Sequence, residues 1–454
     1  MRIFVTQVIF LLFTLNIFSQ SNELDCGTDS PSEKWEEVLQ GLIHQSTLKN
    51  NQSQLTVSNY VIPVIFHIIN GGEPIGTYPN IFQDQIISQL TILNQDFSGN
   101  AYNSSDYPLT AFVNWAINQN IPSANLDQNG RIKIADFNIQ FCLATKDTNE
   151  NLLIEPGIDR INYNNKGWQN PNLFTTQSSM KSYLDSIIKP QSIWDVRKYL
   201  NVWITDKSSL LNYAGVSSVP PLSGIMDLPN NTTDSTDGIW CYTKAVGSYT
   251  LFPNGNYISP FIDGRTLTHE VGHYLGLRHI WGDTSCGNDF CNDTPPASAQ
   301  NNGTPSYPHN SGTCTSPSNN PDGEMFMNFM DYTRGPSKYL FTTDQRTRAQ
   351  IVMQNSPFRN QLGTHQLCSS INNLHEFADK SKMLVYPNPT FDDVNIISNN
   401  QSILKIRIFN QAGILLNEDY LNSFTIKNLN PGAYVLEIET ETKKQFFKII
   451  KIGN

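Results

Sequence analysis

The stretch "GRTLTHEVGHYLGLRHIWGD", residues 264–283, decides the fold, because it places three histidines and one glutamate within eleven positions. His269 and His273 are four positions apart, so both side chains project from the same face of a helix. Zinc binds imidazole nitrogens at about 2.0–2.1 Å, and this spacing supplies two of them. Glu270 follows the first of these histidines, where its carboxylate can reach a metal-bound water rather than the metal.

The residues after this helix can return the chain to the same ion. Gly276 tolerates the left-handed backbone that ends a helix, and the turn can bring His279 back as a third ligand. Three protein ligands leave the fourth position of a tetrahedral zinc open, which is typical of a catalytic site. The competing interpretation is a helix whose histidines are ordinary surface or core residues, and the added glycine and third histidine make that coincidence rare. Three apolar residues should anchor the opposite side of the helix in the core: Leu267, Val271 and Leu275.

Length and composition indicate a secreted protein of several domains. The chain has 454 residues and a formal net charge of −10, and this length suggests two or three domains. Acidic and basic residues are interspersed, without the basic patch that nucleic-acid binding needs, so no nucleic-acid partner is expected. Charged residues make up 15% of the chain, and Asn, Ser and Thr are abundant, which suits a polar extracellular surface.

The N-terminus predicts export. In residues 1–20, "MRIFVTQVIFLLFTLNIFSQ", Arg2 precedes an apolar run from Val8 to Phe18, and polar residues follow. The run is too short to span a bilayer as a helix, so we expect a signal peptide with cleavage near Gln20. A buried first helix is the alternative. No later apolar run is long enough to cross a membrane, so the mature protein is expected to have no transmembrane segment.

The odd number of cysteines means that at least one of them has no disulfide partner within the chain. Seven cysteines are an odd number for an exported protein. Cys26 lies far from the others, and without it the remaining six allow three disulfides in fifteen connectivities, among which the sequence does not choose.

The middle of the chain predicts an α+β fold. Residues 21–55 are polar, with one helical piece, "EKWEEVLQGLIHQ". Within 56–370, "NYVIPVIFHII", "DFNIQFCLAT" and "YLNVWITD" predict strands, and "NIFQDQIISQLTILNQDF" predicts a helix. Residues 284–335 are rich in Asn, Pro, Ser, Gly and Thr, which indicates an irregular, disulfide-tied region. "TTDQRTRAQIVMQ" then predicts a capped helix.

The end of the chain has a different character. Residues 371–382 are predicted to be a linker. Over 383–454, short alternating strands separated by Pro, Asn and Gly turns predict a small β-sandwich.

Several of these motifs carry a family resemblance. "HEVGHYLGLRH" matches HExxHxxGxxH, the zinc signature of the metzincin metallopeptidases, and "MFMNFMDYT" supplies the methionine-containing turn of that clan. "HIWGD", "FCNDTPP", "NFMDYT" and "FTTDQRTRA" resemble the pappalysin branch, specifically its bacterial secreted members. Upstream, "YVIPVIFHII", "ILNQDF" and "FCLAT" extend the resemblance to about residues 56–365. It implies a metzincin-type catalytic domain, with a twisted mixed sheet and a long zinc helix over an irregular lower subdomain.

The last seventy-odd residues resemble another module. "VYPNPTFDDVNI", "KIRIFNQAGILL" and "LNPGAYVLEIET" are similar to the C-terminal sorting domain of the type IX secretion system of Bacteroidota-like bacteria. The resemblance implies that the secretion and sorting machinery is a partner. It also implies an extracellular protein, either released or attached to the outer cell surface after the domain is removed.

The resemblance implies a secreted zinc endopeptidase, made as a latent zymogen, that acts on polypeptides. Glu270 would accept a proton as zinc-bound water attacks the scissile carbonyl, and would pass it to the leaving amine. By resemblance, the hydroxyl of Tyr332 stabilises the oxyanion, the alternative being a packed aromatic residue. Met330, in the methionine turn, would pack under the histidines. Substrates would pair with an edge strand, which we expect around "DGIWCYTKAVG", residues 237–247.

The resemblance also gives Cys26 a role. "DCGTD" resembles a short Cys-Gly stretch in the pro-segments of bacterial pappalysins, which makes residues 21–55 a pro-segment. The thiolate of Cys26 could fill the open position of zinc and hold the zymogen latent until a cut between about residues 45 and 58. The alternative is a disulfide, for example with Cys368.

One stretch departs from the family pattern. Family members often carry acidic residues and a cysteine just after the tyrosine of the methionine turn. Here "YTRGPSKYLF" has Arg334, Gly335 and Ser337 instead. The acidic floor that would favour Arg or Lys on the primed side of the cut is therefore missing.

Two further expectations concern the irregular region. Cys286 with Cys314 is the preferred disulfide there. Calcium often supports this region in the family, and Asp289, Asp293 and Thr294 offer the hard oxygens that calcium binds. Turn-forming residues do the same without a metal.

Two other functions compete with an endopeptidase. One is a non-catalytic secreted or surface binding protein that retains the scaffold, which usually shows a broken ligand or a replaced glutamate. The other is a zinc amidase or aminopeptidase. The intact ligands and glutamate favour an enzyme, and the third histidine with the methionine turn favours an endopeptidase.

Overall fold

A computed structural model describes most of the chain. The described residues are 25–50, 58–222, 232–310, 314, 322–368, 384–386, 393–397, 402–410, 413–420, 423–441 and 444–451. The predicted signal peptide and linker lie outside these residues. Among the helices of the described part, none combines the length and the apolar character that a membrane span requires.

Seven strands form one mixed sheet. They are β1 (Asp25–Cys26), β2 (Tyr60–Asn70), β3 (Ile139–Leu143), β4 (Ile158–Asn162), β5 (Leu200–Thr205), β6 (Tyr213–Ser217) and β7 (Ile239–Tyr242). Their order is β1-β6-β7-β5-β2-β3, with β4 also beside β2. The β6–β7 pair is antiparallel, and the other neighbours run parallel. Strand β2 is buried along almost its whole length, because both faces of a largely parallel sheet are covered. The predicted α+β fold is confirmed.

Seven helices belong to the same part of the chain. They are α1 (Glu33–Asn50), α2 (Gln83–Phe97), α3 (Val113–Asn118), α4 (Gln177–Tyr183), α5 (Lys189–Ser192), α6 (Arg265–Tyr274) and α7 (Thr343–Asn355). Helices α2 and α6 bury their apolar faces in one core, which includes the predicted anchors. The predicted anchors are Leu267, Val271 and Leu275, on or just after α6, and α2 contributes Ile86, Leu90, Leu93 and Phe97 to the same core.

Helix α6, which carries the first two histidines, spans ten residues. Two glycines delimit it. Gly264 precedes the helix with φ 75°, and Gly276 follows it with φ 85°. Both values lie in the left-handed region that glycine adopts without a steric cost, so the predicted turn at Gly276 is confirmed.

Helix α7 has the predicted cap. The Thr342 hydroxyl accepts from the backbone N–H of Gln345 at 3.3 Å, and the Gln345 side chain accepts from the Thr342 N–H at 2.9 Å. The same glutamine side chain also accepts from Asn328 at 2.9 Å, and Asn328 in turn accepts from the backbone N–H of Met330 at 2.9 Å. The cap of α7 therefore holds the methionine turn in place.

Two disulfides tie the chain. Cys286 bonds to Cys314, as expected for the irregular region, whose described part contains neither an α-helix nor a strand of the sheets. Cys142 bonds to Cys368, so the alternative pairing of Cys26 with Cys368 is wrong. Of the six remaining cysteines only these four pair, because Cys241 and Cys291 are free and buried in the described structure.

The edge of the sheet is not where the sequence suggested. Strand β7 lies between β5 and β6 and is paired on both sides, so the prediction of an edge at residues 237–247 is wrong. Its backbone groups are already used, and only an edge strand has free groups to offer. Strand β1, from the predicted pro-segment, covers the outer side of β6. Without β1, strand β6 is therefore the edge on this side of the sheet, opposite the edge formed by β3 and β4.

The C-terminal part consists of two small antiparallel sheets. Its strands are β8 (Leu384–Tyr386), β9 (Asp393–Ile397), β10 (Ile403–Phe409), β11 (Leu415–Asp419), β12 (Ser423–Thr425), β13 (Gly432–Thr440) and β14 (Lys444–Lys451). The orders are β11-β10-β13-β14 and β12-β9-β8. Val394 of β9 shares a core with Ile406, Leu436 and Ile449 of the other sheet. The predicted β-sandwich is confirmed.

Candidate metal centre

Three imidazole nitrogens converge on one point. The Nε2 atom of His269 lies 3.2 Å from those of His273 and His279, and the latter two are 3.1 Å apart. Two ligands at 2.0–2.1 Å from a tetrahedral zinc are about 3.3 Å apart. The donor set therefore fits a small tetrahedral cation. The structure brings together the three predicted ligands, two from α6 and one from the turn after Gly276.

The other ring nitrogen of each of the two helical histidines is fixed by a backbone carbonyl. His269 Nδ1 lies 2.8 Å from the oxygen of Phe329, and His273 Nδ1 lies 3.0 Å from that of Leu277. A carbonyl only accepts, so each Nδ1 must carry the hydrogen and each Nε2 presents its lone pair to the common point.

The third ligand is oriented by a carboxylate that the sequence analysis did not single out. His279 Nδ1 donates to Asp283, and Arg278 Nη2 lies 3.6 Å from the same carboxylate. The ring of His279 stacks on Trp281, with centroids 4.3 Å apart. The signal in the sequence was the position of Asp283, four residues after the ligand and within the motif "HIWGD".

Replacing Asp283 should weaken metal binding. In an Asp283→Asn variant the neutral amide accepts less strongly from His279, so the ring is less firmly oriented and less basic. We expect the affinity for zinc to fall about 10- to 100-fold, measured by competition with a chromophoric chelator. Asp195→Asn, an exposed site, is the matched control. An unchanged affinity would show that Asp283 does not support the ligand.

Burial keeps the imidazoles neutral. Removal from water, together with the neighbouring His279, lowers the pKa of His273 to about 3. Burial and then His273 lower the pKa of His269 well below its usual value, and burial lowers that of His279 although Asp283 opposes it. Neutral imidazole is the form that binds a metal ion.

Glu270 lies beside this point, fully buried between α6 and β6. Its carboxylate packs against Gly215, where an added Cβ would lie 2.5 Å from Oε1. Glu270 Oε2 accepts from the hydroxyl of Thr28 at 2.8 Å. Burial raises the pKa of Glu270 to about 7, although hydrogen bonds from Thr28 and Cys26 oppose the shift.

Two residues of the methionine turn line the centre. Met330 is fully buried, and a Cβ added to Gly272 of α6 would lie 2.3 Å from its sulfur. Methionine thus packs directly on the helix backbone between the first two ligands. The ring of Tyr332 lies 5.6 Å from that of His269 and 5.0 Å from that of His279, measured between centroids.

The thiol of Cys26 reaches the same point. Its sulfur and the ligand atoms of the three histidines all lie within 4.8 Å of one another, and it is 3.5 Å from Glu270 Oε2. Strand β1 delivers it by pairing with β6, and Gly27 N–H donates to Gly215 O at 2.8 Å. Burial and then the charge of Glu270 raise the pKa of this thiol.

Helix α1 anchors the segment that carries Cys26. Trp35 is buried, and its indole N–H donates to the carbonyl of Pro220 at 2.8 Å. Glu36 forms a buried, two-pronged ion pair with Arg348, which also donates to the carbonyl of Gly276 at 3.0 Å. No local pattern in the sequence indicates this pair, because its members are 312 positions apart.

The three residues expected to bind calcium make two sets of hydrogen bonds, and the charge of Asp289 acts on Asp293. Asp289 accepts from the hydroxyl of Thr294 at 2.8 Å. Asp293 accepts from Asn125 Nδ2 at 2.9 Å, and the same amide nitrogen donates to Asp344 at 2.8 Å. Asp293 therefore faces Asp344, and its other carboxylate oxygen is buried without a hydrogen-bond partner.

Comparison with known proteins identifies the family of the chain. Residues 182–354 match the peptidase family M43 model described as pregnancy-associated plasma protein-A, and residues 384–452 match a secretion system C-terminal sorting domain. An extracellular metalloprotease of Colletotrichum graminicola is 26% identical over 333 residues, or 71% of this chain and 87% of that protein. An extracellular metalloprotease of Arthroderma otae is 34% identical over 26% of this chain, and the alignment spans only 40% of that relative.

Two solved structures of metallopeptidase relatives are also similar to this chain. A mutant of Tannerella forsythia promirolysin is 28% identical with a TM-score of 0.54, over 76% of this chain and 100% of that one. Mature mirolysin of the same organism, in complex with a cleaved peptide, is 30% identical with a TM-score of 0.50, over 67% of this chain and 98% of that one. The chain therefore belongs to the pappalysin family of metallopeptidases, and it is a secreted enzyme with a C-terminal sorting domain.

Proposed function

We propose that the protein is a zinc endopeptidase that is made as a latent zymogen and cleaves polypeptides. The observation that carries the proposal is the convergence of three Nε2 atoms at 3.1–3.2 Å from one another, with a buried carboxylate beside them. His269, His273 and His279 would hold the ion. The similarity to mirolysin, solved with a cleaved peptide, supports peptide-bond hydrolysis.

Glu270 is the proposed general base. Zinc, when bound, would acidify the attacking water and polarise the scissile carbonyl. Glu270 would accept the proton of that water and donate it to the leaving amine. The hydroxyl of Tyr332 would donate to the developing oxyanion.

Strand β6 is the proposed docking edge for substrate. In the zymogen its free side is occupied by β1. Once the pro-segment has left, the same backbone groups would pair with an extended peptide, since main-chain hydrogen bonds at an open edge provide affinity without dictating the side chains. Gly215 lies in this strand against Glu270, so a peptide paired there would run past the catalytic carboxylate.

Latency follows from the same contacts. Cys26 is proposed to act as a fourth ligand, because its sulfur lies within reach of the three imidazoles and thiolate is a good zinc ligand. Burial disfavours the thiolate, but a bound cation would favour it. Thr28 also occupies the base through its hydrogen bond to Glu270. The expected activating cut, between about residues 45 and 58, falls partly outside the described residues.

The function is tested on purified mature protein. We expect about one zinc per chain by elemental analysis and digestion of casein, with both lost on chelation and regained with zinc. A folded protein that binds zinc and digests no protein substrate would instead favour a binding role for the scaffold.

We further propose calcium at the irregular region. Burial, and then the charge of Asp344, raise the pKa of Asp293 to about 7, and a hard cation near its unpaired oxygen would relieve this cost. Asp289 and Thr294 would contribute nearby oxygens. Calcium should then raise the melting temperature of the chelator-treated, zinc-restored protein by several degrees, and an Asp293→Asn variant should lose most of that gain. Equal melting curves with and without calcium would contradict the site.

A further inference from the structure

A charged pocket opens beside the metal centre. It is lined by Glu270 and His269 on one side and by the segment after the methionine turn on the other. Four further charged residues line it: Asp263, Arg265, Arg334 and Lys338. Their hydrogen bonds and ion pairs determine which of them are free to bind a substrate.

Arg265 is engaged in the scaffold. One guanidinium nitrogen donates to the carbonyls of Gly335 and Lys338, and the other lies 3.1 Å from Asp96 and 2.9 Å from Asn103. Its charge is therefore balanced by the buried carboxylate of Asp96, and its donors fix the loop that forms the pocket wall.

Asp263 is also engaged. It lies against Gly335, where an added Cβ would be 2.5 Å from its carboxylate. Burial raises the pKa of Asp263, and the charge of Arg265 and a hydrogen bond from Tyr102 counter this effect. This carboxylate thus has a cation and a hydroxyl beside it.

Lys338 differs from both. The residue as a whole is 7% exposed, yet its ammonium makes no hydrogen bond or ion pair with any residue in the described part of the chain. The closest candidate, Asp331, is already used: it accepts from Asn301 twice and from the Tyr332 N–H, each at 2.8 Å. Because Lys338 lines the pocket and no described residue accepts a hydrogen bond from its ammonium, an anion that enters the pocket would find an unused donor.

Lys338 is also close enough to the centre to influence chemistry there. Its charge interacts with those of Glu270, Cys26 and Asp331. Burial lowers its pKa to about 8 although Asp331 raises it, so the ammonium form still dominates at pH 7.

We propose that Lys338 makes this pocket a subsite for a substrate carboxylate, carried either by an acidic side chain next to the scissile bond or by the C-terminus of the substrate. The inference rests on the proposed peptidase activity. The preference is opposite to the one that an acidic floor would give.

The test uses the mature enzyme and matched fluorogenic peptides with Glu, Gln or Lys at each position flanking the cut. The wild type should cleave the best Glu peptide about 10- to 100-fold faster, in kcat/KM, than its Gln counterpart, because hydrogen bonds to charged groups are the strong ones. Lys338→Met should lose this preference, so that it cleaves the Glu and Gln peptides at similar rates. Lys338→Arg should retain much of the preference, and Lys133→Met, which removes an exposed lysine, should leave it unchanged.

A second pair of peptides distinguishes the source of the carboxylate. Both end one residue after the cut, one as the free acid and one as the amide. Faster cleavage of the free acid assigns Lys338 to the C-terminus, whereas a preference confined to internal Glu assigns it to a side chain. A Glu to Gln ratio that is unchanged in Lys338→Met, or a wild-type preference for Lys, overturns the subsite alone. Failure of the wild type to cleave any peptide overturns the peptidase proposal and the subsite with it.

Discussion

Glu270→Ala should leave the zinc content of the mature protein unchanged and lower its hydrolysis of casein by about 10²- to 10⁴-fold. The carboxylate is not one of the proposed metal ligands. The three converging imidazoles are oriented by Phe329, Leu277 and Asp283. Its removal should therefore spare metal binding. What is lost is the only proton acceptor that α6 directs at the centre.

The measurement needs two readouts on the same sample. Elemental analysis gives zinc per chain, and release of labelled peptides from casein gives the rate. Glu270→Gln, which keeps the shape of the side chain, should be as inactive as the alanine variant, whereas Glu150→Ala at an exposed site should behave as wild type. Hydrolysis at the wild-type rate by Glu270→Ala would exclude this residue as the base, and loss of zinc would make its role structural.

Cys26→Ala in the full chain should raise the activity of the uncleaved zymogen about 10- to 100-fold. The substitution removes one candidate ligand, and a change of about 1.4–2.8 kcal/mol in the closed form shifts its population by that factor. The rest of the pro-segment stays docked, because Trp35 and Glu36 are held by Pro220 and Arg348. Hydrolysis of a short fluorogenic peptide is followed while gel electrophoresis verifies that the chain is intact.

A second variant distinguishes metal ligation by the Cys26 thiol from simple obstruction of β6 by the pro-segment. Trp35→Ala removes a buried anchor at a cost of about 3–5 kcal/mol but leaves Cys26 in the chain. If the thiol maintains latency, Cys26→Ala should be active although its pro-segment stays docked. An inactive Cys26→Ala together with an active Trp35→Ala would show that coverage of β6 by β1 is sufficient. Thr28→Val tests the third contact, the hydrogen bond to Glu270.

Most residues of the candidate site could be predicted from their short-range spacing in the sequence. His269, Glu270 and His273 share one turn of helix, and Gly276 with φ 85° returns His279, so local geometry alone predicted the ligand set. The apolar periodicity of α2 and the Thr342 cap of α7 were likewise readable, because each depends on residues three or four positions apart.

Long-range pairing accounts for what was missed. The Cys142–Cys368 bond spans 226 positions and the Glu36–Arg348 pair spans 312, and no periodicity links such residues. The prediction of the edge strand was wrong for the same reason. A buried, apolar β7 and an edge β6 look alike in sequence, and only the order of the strands distinguishes them. Lys338 is one residue after the altered "TRGPS" stretch, whose loss of acidic residues was noticed without the cation that lies beside it.

The bond between Cys142 and Cys368 has a consequence for the fate of the tail. It fastens the last described residue of the enzyme body to β3, and the backbone adds a hydrogen bond from Thr145 N–H to Leu367 O at 2.8 Å. Removal of the sorting module beyond Cys368 would leave this end of the enzyme body fastened to β3. The sorting domain can thus be removed after secretion without unfolding the enzyme body.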